Sequence, residues 1–169
     1  RAEQQKIDVE AELPNYDETA VSLSAGGVWD FAEGHALPLN LTRTQRNPQA
    51  AELYANGPHI AAQRFEVGDA NLDQETSVTA DLSLRHTGDG INWTLSAYYN
   101  DYTDYIYASP TGDIEDELPV YVYLQNGAKF HGFEAELNVP LIDDGNRHLS
   151  LRLASDYGRG KLDNGEDLP

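Results

Sequence analysis

The side chains in this chain able to do chemistry are five histidines (His35, His59, His86, His131 and His148) and 29 aspartates and glutamates, with no cysteine beside them. Without thiols there is no disulfide, no thiolate metal site and no cysteine nucleophile. Imidazole combined with carboxylate oxygen is a ligand set that suits zinc. Glu134 and Glu136 stand two apart, so on a strand both point the same way. A glycosidase needs two carboxyls about 5–10 Å apart across a sugar; neighbours on one strand face more simply meet water or a polar partner. Gly-x-Ser-x-Gly, His-Glu-x-x-His and Gly-x-x-x-x-Gly-Lys are all missing. No enzyme is expected. Two further acidic groups, Asp113, Glu115, Asp116 and Glu117, then Asp163, Glu166 and Asp167, read as solvated loops that could gather cations.

Charge narrows the partners. Eleven Lys plus Arg against 29 acids leave a net charge of −18, the wrong sign for holding phosphates, so nucleic acid is excluded as a partner. A field of this sign concentrates cations instead. No run approaches the ~18 apolar residues of a membrane helix, but a transmembrane strand needs only about 9–11 residues of alternating pattern. The chain starts at Arg1 without a basic-apolar leader and stops at Pro169 inside a loop-like stretch, so it is expected to be an internal piece of something larger. Ten tyrosines against four phenylalanines suit places where one end of a ring is apolar and the other wet.

The elements that must carry these residues are strands. Apolar and polar residues alternate at 21–31, 37–42, 78–85, 91–100, 133–141 and 149–154. A seventh, weaker segment runs from Gln5 to Ala11. Short turns are expected at Ala32–Gly34, Thr87–Gly90 and Ile142–Asn146, where Gly, Asp and Asn supply hairpin chemistry. Long connections are expected at Leu13–Thr19, Gln45–Asp73, Ala108–Pro119 and from Gly160 onward. Short turns on one edge and long ones on the other are the layout of an outer-membrane barrel. Trp29 and Trp93 fall near the short turns, while Tyr98, Tyr99, Tyr102, Tyr105, Tyr107 and Tyr157 fall at or above the opposite edge, so the two groups read as lower and upper aromatic girdles. Asp81, Arg85, Glu134, Glu136 and Arg152 then face a wet lumen, which spares them the cost of burial. Six or seven strands cannot close around such a lumen, so the expected fold is all-β: part of a larger antiparallel up-and-down transmembrane barrel, with residues 1–169 in one domain. The rival architecture is a soluble β-sandwich binding module.

Four stretches resemble, in the right order, the barrel of TonB-dependent receptors. Thr42 to His59 resembles their Arg-x-Pro segment followed by Glu-Leu, through Arg46, Pro48, Glu52 and Leu53. Phe65 to Ser77 resembles their Gly-x-x-x-Leu-x-x-Glu-x-Ser strand entry, through Gly68, Leu72, Glu75 and Ser77. Tyr98 to Tyr107 resembles the tyrosine-rich strand that follows. Gln125 to Leu137 matches the next strand at Asn126, Gly132, Glu134 and Glu136. The resemblance runs from about Val21 to the end.

Membership would place the chain in the bacterial outer membrane, in contact with its lipid. It also implies a receptor that imports a scarce nutrient, through an N-terminal plug and the TonB complex, both outside these residues. Within the family, the tract from Glu52 to Leu72 most resembles the zinc-uptake receptors, whose similar Gly-Pro-His loop faces outward. That resemblance makes His59 the candidate metal ligand and zinc the expected cargo, as a metal ion or small chelate, with no catalytic cofactor. Haem, a ferric siderophore or a cobalamin are the alternative cargoes. His35 and His86 flank short turns, His148 opens a strand and His131 sits near the upper girdle; a structural role is the simpler reading for each.

Overall fold

A computed structural model describes residues 1–7, 16–88, 90–165 and 167–168. The wall of the fold is a six-strand antiparallel meander. Its members are β3 (Leu23–Ala32), β4 (His35–Arg46), β7 (Glu75–His86), β8 (Asn92–Glu115), β9 (Leu118–Asp143) and β10 (His148–Leu162), each paired with the next. Two strands, β1 (Ala2–Ile7) and β2 (Tyr16–Val21), form a separate antiparallel pair. Only Ser22 separates β2 from β3, and its N–H donates to the Arg1 carbonyl at 2.9 Å.

Register sorts the side chains into two faces. One rung runs Leu39, Leu82, Ala97, Phe133, Tyr157 across five strands, and the next runs Leu41, Ala80, Tyr99, His131, Arg159. The flanking residues of the opposite face are polar: Asn40 donates to Asp81 at 3.3 Å, the Ser83 and Ser96 hydroxyls lie 2.8 Å apart, and Arg152 reaches Glu136 at 2.9 Å. Leu39, Leu41, Leu82, Leu95, Phe133, Leu151 and Leu153 are all exposed. An apolar patch spread over a whole sheet face has to meet something other than water. At the short-turn edge, rings follow one another along the rim, with centroids 5.7 Å apart for Trp29–Phe31, 5.8 Å for Phe31–His35, 4.3 Å for His35–His86 and 6.1 Å for His86–Trp93. The lower girdle expected from the tryptophans is therefore present, and it includes two of the histidines.

Three expectations need correction. Ala108–Pro119 is not a loop, because β8 and β9 continue through it for 24 and 26 residues and turn only at Asp116 and Glu117. Pro110 lacks an N–H for the ladder, and a register shift between Pro110 and Ile114, with Gly112 at φ +88°, absorbs it. Of the connection Leu13–Thr19, residues 16–19 belong to β2; the rest, like residues 8–11 of the seventh segment, lies outside the described residues. The tyrosines divide: Tyr99 and Tyr157 share the apolar face, whereas Tyr98 and Tyr102 share the polar one. Above Tyr102 the register slips by one residue, and Tyr105 stays with Tyr102. Tyr102, Tyr105 and Phe130 pack with centroids 5.2–5.4 Å apart. These rings line the polar face instead of a lipid boundary.

The connection between β4 and β7 crosses the upper sheet. It forms a short helix α1 (Ala50–Tyr54), a strand β5 (Asn56–His59), a turn at Ile60–Ala62 and a strand β6 (Arg64–Val67). The hairpin β5–β6 then adds β6, in parallel, to the upper edge of β9. Leu53, Leu72 and Ile106 form a small buried core, with Tyr16, Tyr54 and Tyr123 against it. The returning chain satisfies the end of α1: Gly68 N–H donates to Ala55 O at 2.7 Å and Asp69 N–H to Glu52 O at 2.9 Å. Gly68 is needed for that approach, since a Cβ there would lie 2.6 Å from the backbone of Leu53 and Tyr54. Gly68→Ala should therefore cost about 1–3 kcal/mol, the usual penalty of overpacking. It should speed amide exchange over residues 50–72 of the full-length protein while leaving the lower strands protected; unchanged exchange would mean that the tract is not pinned here.

Candidate functional site

Hairpin β5–β6 carries His59 at its turn end. His59 lies opposite Arg64 in the ladder, and Glu66 lies two residues further along β6, so all three project from one face. Parallel pairing brings Glu66 opposite Tyr121 of β9, next to Tyr123. Three side chains converge on the Glu66 carboxylate. His59 Nδ1 lies 2.8 Å from Glu66 Oε1, Arg64 Nε donates to the same oxygen at 2.7 Å, and the Tyr123 hydroxyl donates to Oε2 at 3.1 Å. The Arg64 guanidinium also lies 5.1 Å above the Tyr121 ring, in cation–π range.

Burial and hydrogen bonding compete at Glu66. Its side chain is only 6% exposed, and burial alone would raise its pKa. The hydrogen bonds from His59, Arg64 and Tyr123 outweigh that and hold it below the usual carboxylate range. The Tyr123 hydroxyl is pushed up, first by burial and then by the Glu66 charge. An ionised carboxylate only accepts, so the proton shared with His59 sits on Nδ1. The neutral ring then carries its lone pair on Nε2. The His59 side chain is 52% exposed, so this nitrogen belongs to a half-open imidazole whose orientation a buried carboxylate fixes. That is the second-shell pattern by which proteins prepare a histidine for a metal.

The other expected residues are spread widely. His35 and His86 pack with tilted rings at the lower rim, His148 pairs with Asp143 at 2.8 Å beside a short turn, and His131 lies on the apolar face opposite Tyr99. Asp113, Glu115, Asp116 and Glu117 occupy the tip of the β8–β9 hairpin, Asp163 pairs with Lys129, and Glu166 is outside the described residues. Among the described residues, no three His, Asp or Glu side chains gather around a common point. His59 is thus one potential ligand, not a complete shell. Glu66, Arg64 and Tyr123 were not singled out from the sequence. Arg64 and Glu66 two apart on a short strand were a usable signal, but the parallel pairing with β9 joins segments 55 residues apart and leaves no local trace.

A second set of partners fixes where the hairpin can go. Arg46 grips Glu75 across the β4–β7 rung, Nε to Oε1 at 3.3 Å and Nη2 to Oε2 at 3.1 Å, and reaches Glu52 through Nη1 at 2.8 Å. Glu52 in turn accepts the Gln49 N–H at 2.7 Å, and Glu75 accepts the Ile106 N–H at 3.1 Å. Arg46, Glu52 and Glu75 are motif residues of the sequence, and all three are engaged in holding the crossing tract.

Known proteins share both the pattern and the shape. A family model described as TonB dependent receptor-like, beta-barrel, matches residues 1–169. The chain belongs to the TonB-dependent receptor β-barrel family. It is thus part of an outer-membrane barrel, whose apolar face meets lipid and whose polar face meets the lumen. An iron-regulated outer membrane virulence protein of Vibrio cholerae is 27% identical over 140 residues, 78% of this chain and 21% of that protein. The copper transporter OprC superposes with a TM-score of 0.71 at 22% identity, over 92% of this chain and 23% of its own. The siderophore receptor PirA of Pseudomonas aeruginosa gives 0.62 at 24% identity, over 87% of this chain and 29% of its own. The chain spans about a fifth to under a third of the length of these relatives. In this family the short turns are periplasmic, which puts His59 at the extracellular end.

The lowered Glu66 pKa has a consequence for stability. An acid whose folded pKa lies below its unfolded value of about 4.3 stabilises the fold above that value and loses the contribution as pH falls through the folded pKa. Proteolytic resistance of residues 56–67 in the full-length receptor should hold at neutral pH and fall in this acidic window. In Glu66→Ala the acid-dependent step should vanish, leaving a hairpin that is protease-sensitive throughout; persistence of the step would assign it to another carboxylate.

Proposed function

We propose that this chain is the part of a TonB-dependent receptor that helps capture a transition-metal ion, with zinc preferred, at the extracellular mouth. The observation that carries this reading is the His59–Glu66 contact, in which a buried, ionised carboxylate fixes the ring and frees Nε2. Imidazole nitrogen suits zinc and copper, and the acidic field of a chain with net charge −18 raises the local cation concentration. The remaining ligands would come from other parts of the receptor, including the plug. Import would draw on the TonB complex through that plug.

A second reading keeps the receptor and changes the cargo to a metal chelate, such as a ferric siderophore or haem. The lumen-facing rings favour it, since Tyr105 and Tyr107 stack in near-parallel planes with centroids 6.4 Å apart and continue the Tyr102–Phe130 cluster. Stacked rings of this kind suit a flat organic ligand. Solved neighbours named for copper and siderophore cargo span both readings.

Calorimetric titration of the full-length receptor with zinc, copper and haem separates them. On the first reading, His59→Ala weakens zinc or copper binding at least tenfold, and Glu66→Gln weakens it about 10–100-fold, as for other orienting partners. Haem binding stays unchanged in both variants. Wild-type zinc and copper affinities that survive His59→Ala would sink the metal-ion reading; tight haem binding lost in Tyr105→Ala would put the chelate in its place.

A further inference from the structure

Outward-facing positions of the six wall strands carry no Asp, Glu, Lys or Arg from the lower aromatic rim up to the rung below Tyr99. The stretch from Trp93 to Asp101 is about the 9–11 residues that a tilted strand uses to cross the bilayer. Charge begins abruptly at that level. One outward rung reads Arg43, Val78, Asp101, Lys129, Lys161, and the rung below it ends in His131 and Arg159. Lys129 is directly opposite Lys161, and His131 directly opposite Arg159, so β9 and β10 present a two-by-two block of basic side chains. Immediately beneath, the Phe133 and Tyr157 rings stack with centroids 5.6 Å apart, both exposed to lipid.

Like charges placed directly opposite one another on adjacent strands destabilise a sheet, and the Lys129–Lys161 rung does this, with Arg159 on the next rung beside it. Local acids offset only part of the block. Asp163 pairs with Lys129, Asp101 lies opposite it and Asp167 lies opposite Lys161 in an isolated bridge, but Arg159 and Lys161 are exposed and neither forms an ion pair with a carboxylate among the described residues. The concentration is notable in a chain with 11 Lys plus Arg against 29 acids. A cation at this height has bulk water above it and headgroups beside it, so an anion fixed at headgroup level is the partner its position fits.

We propose that Lys129, His131, Arg159 and Lys161 form a docking site on the outer wall for the phosphate of an outer-leaflet lipid, with its acyl chains lying against Phe133 and Tyr157. The phosphate would sit between the facing pairs Lys129–Lys161 and His131–Arg159, competing with Asp163 for Lys129. The site lies lower on β9 than the His59 hairpin, at residues 129–131 against 120–122 for the pairing with β6, and does not depend on which nutrient is carried.

The test uses the full-length receptor in detergent, titrated with diphosphoryl lipid A and, separately, with its dephosphorylated form, with bound lipid counted by native mass spectrometry. Each basic group near a charged lipid surface is worth about a fivefold change in affinity. The double variant Arg159→Gln, Lys161→Gln should therefore bind diphosphoryl lipid A about 30-fold more weakly, and 1 M salt should erase most of the difference by screening. Asp163→Asn should bind about fivefold more tightly, a gain that misfolding cannot produce. Equal binding of the dephosphorylated lipid, unchanged affinity in the double variant, or displacement of the lipid by millimolar inorganic phosphate would each overturn the proposal.

Discussion

The guanidinium of Arg46 is the point on which the extracellular half of this chain depends. It sits at the last position of β4, where the wall stops and the crossing tract begins, and it holds a carboxylate from each. Glu75 is the first residue of β7, so the Arg46–Glu75 pair closes the top rung of the wall. Glu52 lies in α1, so the same cation fixes the helix over that rung. Both carboxylates are largely buried and carry further backbone N–H donors, which matters because a buried charge left half-satisfied is costly. Fully paired, the three groups turn the start of the tract into a rigid continuation of the barrel.

From that anchor, one irregularity decides how the tract packs. β8 has one extra residue between Tyr102 and Tyr105, with Asp104 at φ +57°, so the side-chain alternation of β8 changes phase there. Below the slip, even-numbered residues of β8 face the lumen; above it, odd-numbered ones do. Tyr105 and Tyr107 thereby stay with the lumen rings, while Ile106 turns to the other face and becomes the floor for Leu53 and Leu72. Without the slip, Tyr105 would take the place of Ile106 under the helix, and the tract would have to rise to clear its ring. The bulge supplies a flat aliphatic seat, and the hairpin that carries His59 can then reach the edge of β9.

The strand pattern, the short turns and the lower aromatic rim were legible in the sequence because each rests on local alternation or local turn chemistry. The motif around Arg46, Pro48, Glu52, Gly68, Leu72 and Glu75 was legible only as a resemblance, and the structure supplies its physical content: a salt-bridge hub, two buried apolar contacts and one close backbone approach. What could not be read was everything set by phase and by distant pairing. A run such as Tyr98–Tyr107 does not reveal which tyrosines face lipid until the slip at 103–104 is located. Pro110 and Gly112 look like strand breakers, yet a bulge accommodates them because the upper hairpin has solvent on its rim and need not keep a perfect ladder. Glu66, the residue that orients His59, was hidden because a four-residue strand pairing in parallel with a partner 55 residues away has no sequence signature.

The charge distribution follows from the same two-faced wall. A net charge of −18 spread evenly would place acids against lipid, where an unpaired carboxylate is expensive. The described acids of the wall instead lie toward the lumen, in the hairpins and turns at its two ends, or beside cations at the membrane boundary, while Lys129, Arg159 and Lys161 collect where the apolar band ends. Period-two alternation makes this separation possible, since adjacent residues on one strand can serve opposite solvents. Glu134 faces the lumen and Phe133 the lipid, one residue apart, and the electrostatic field inside the barrel is thus kept separate from the field offered to the bilayer.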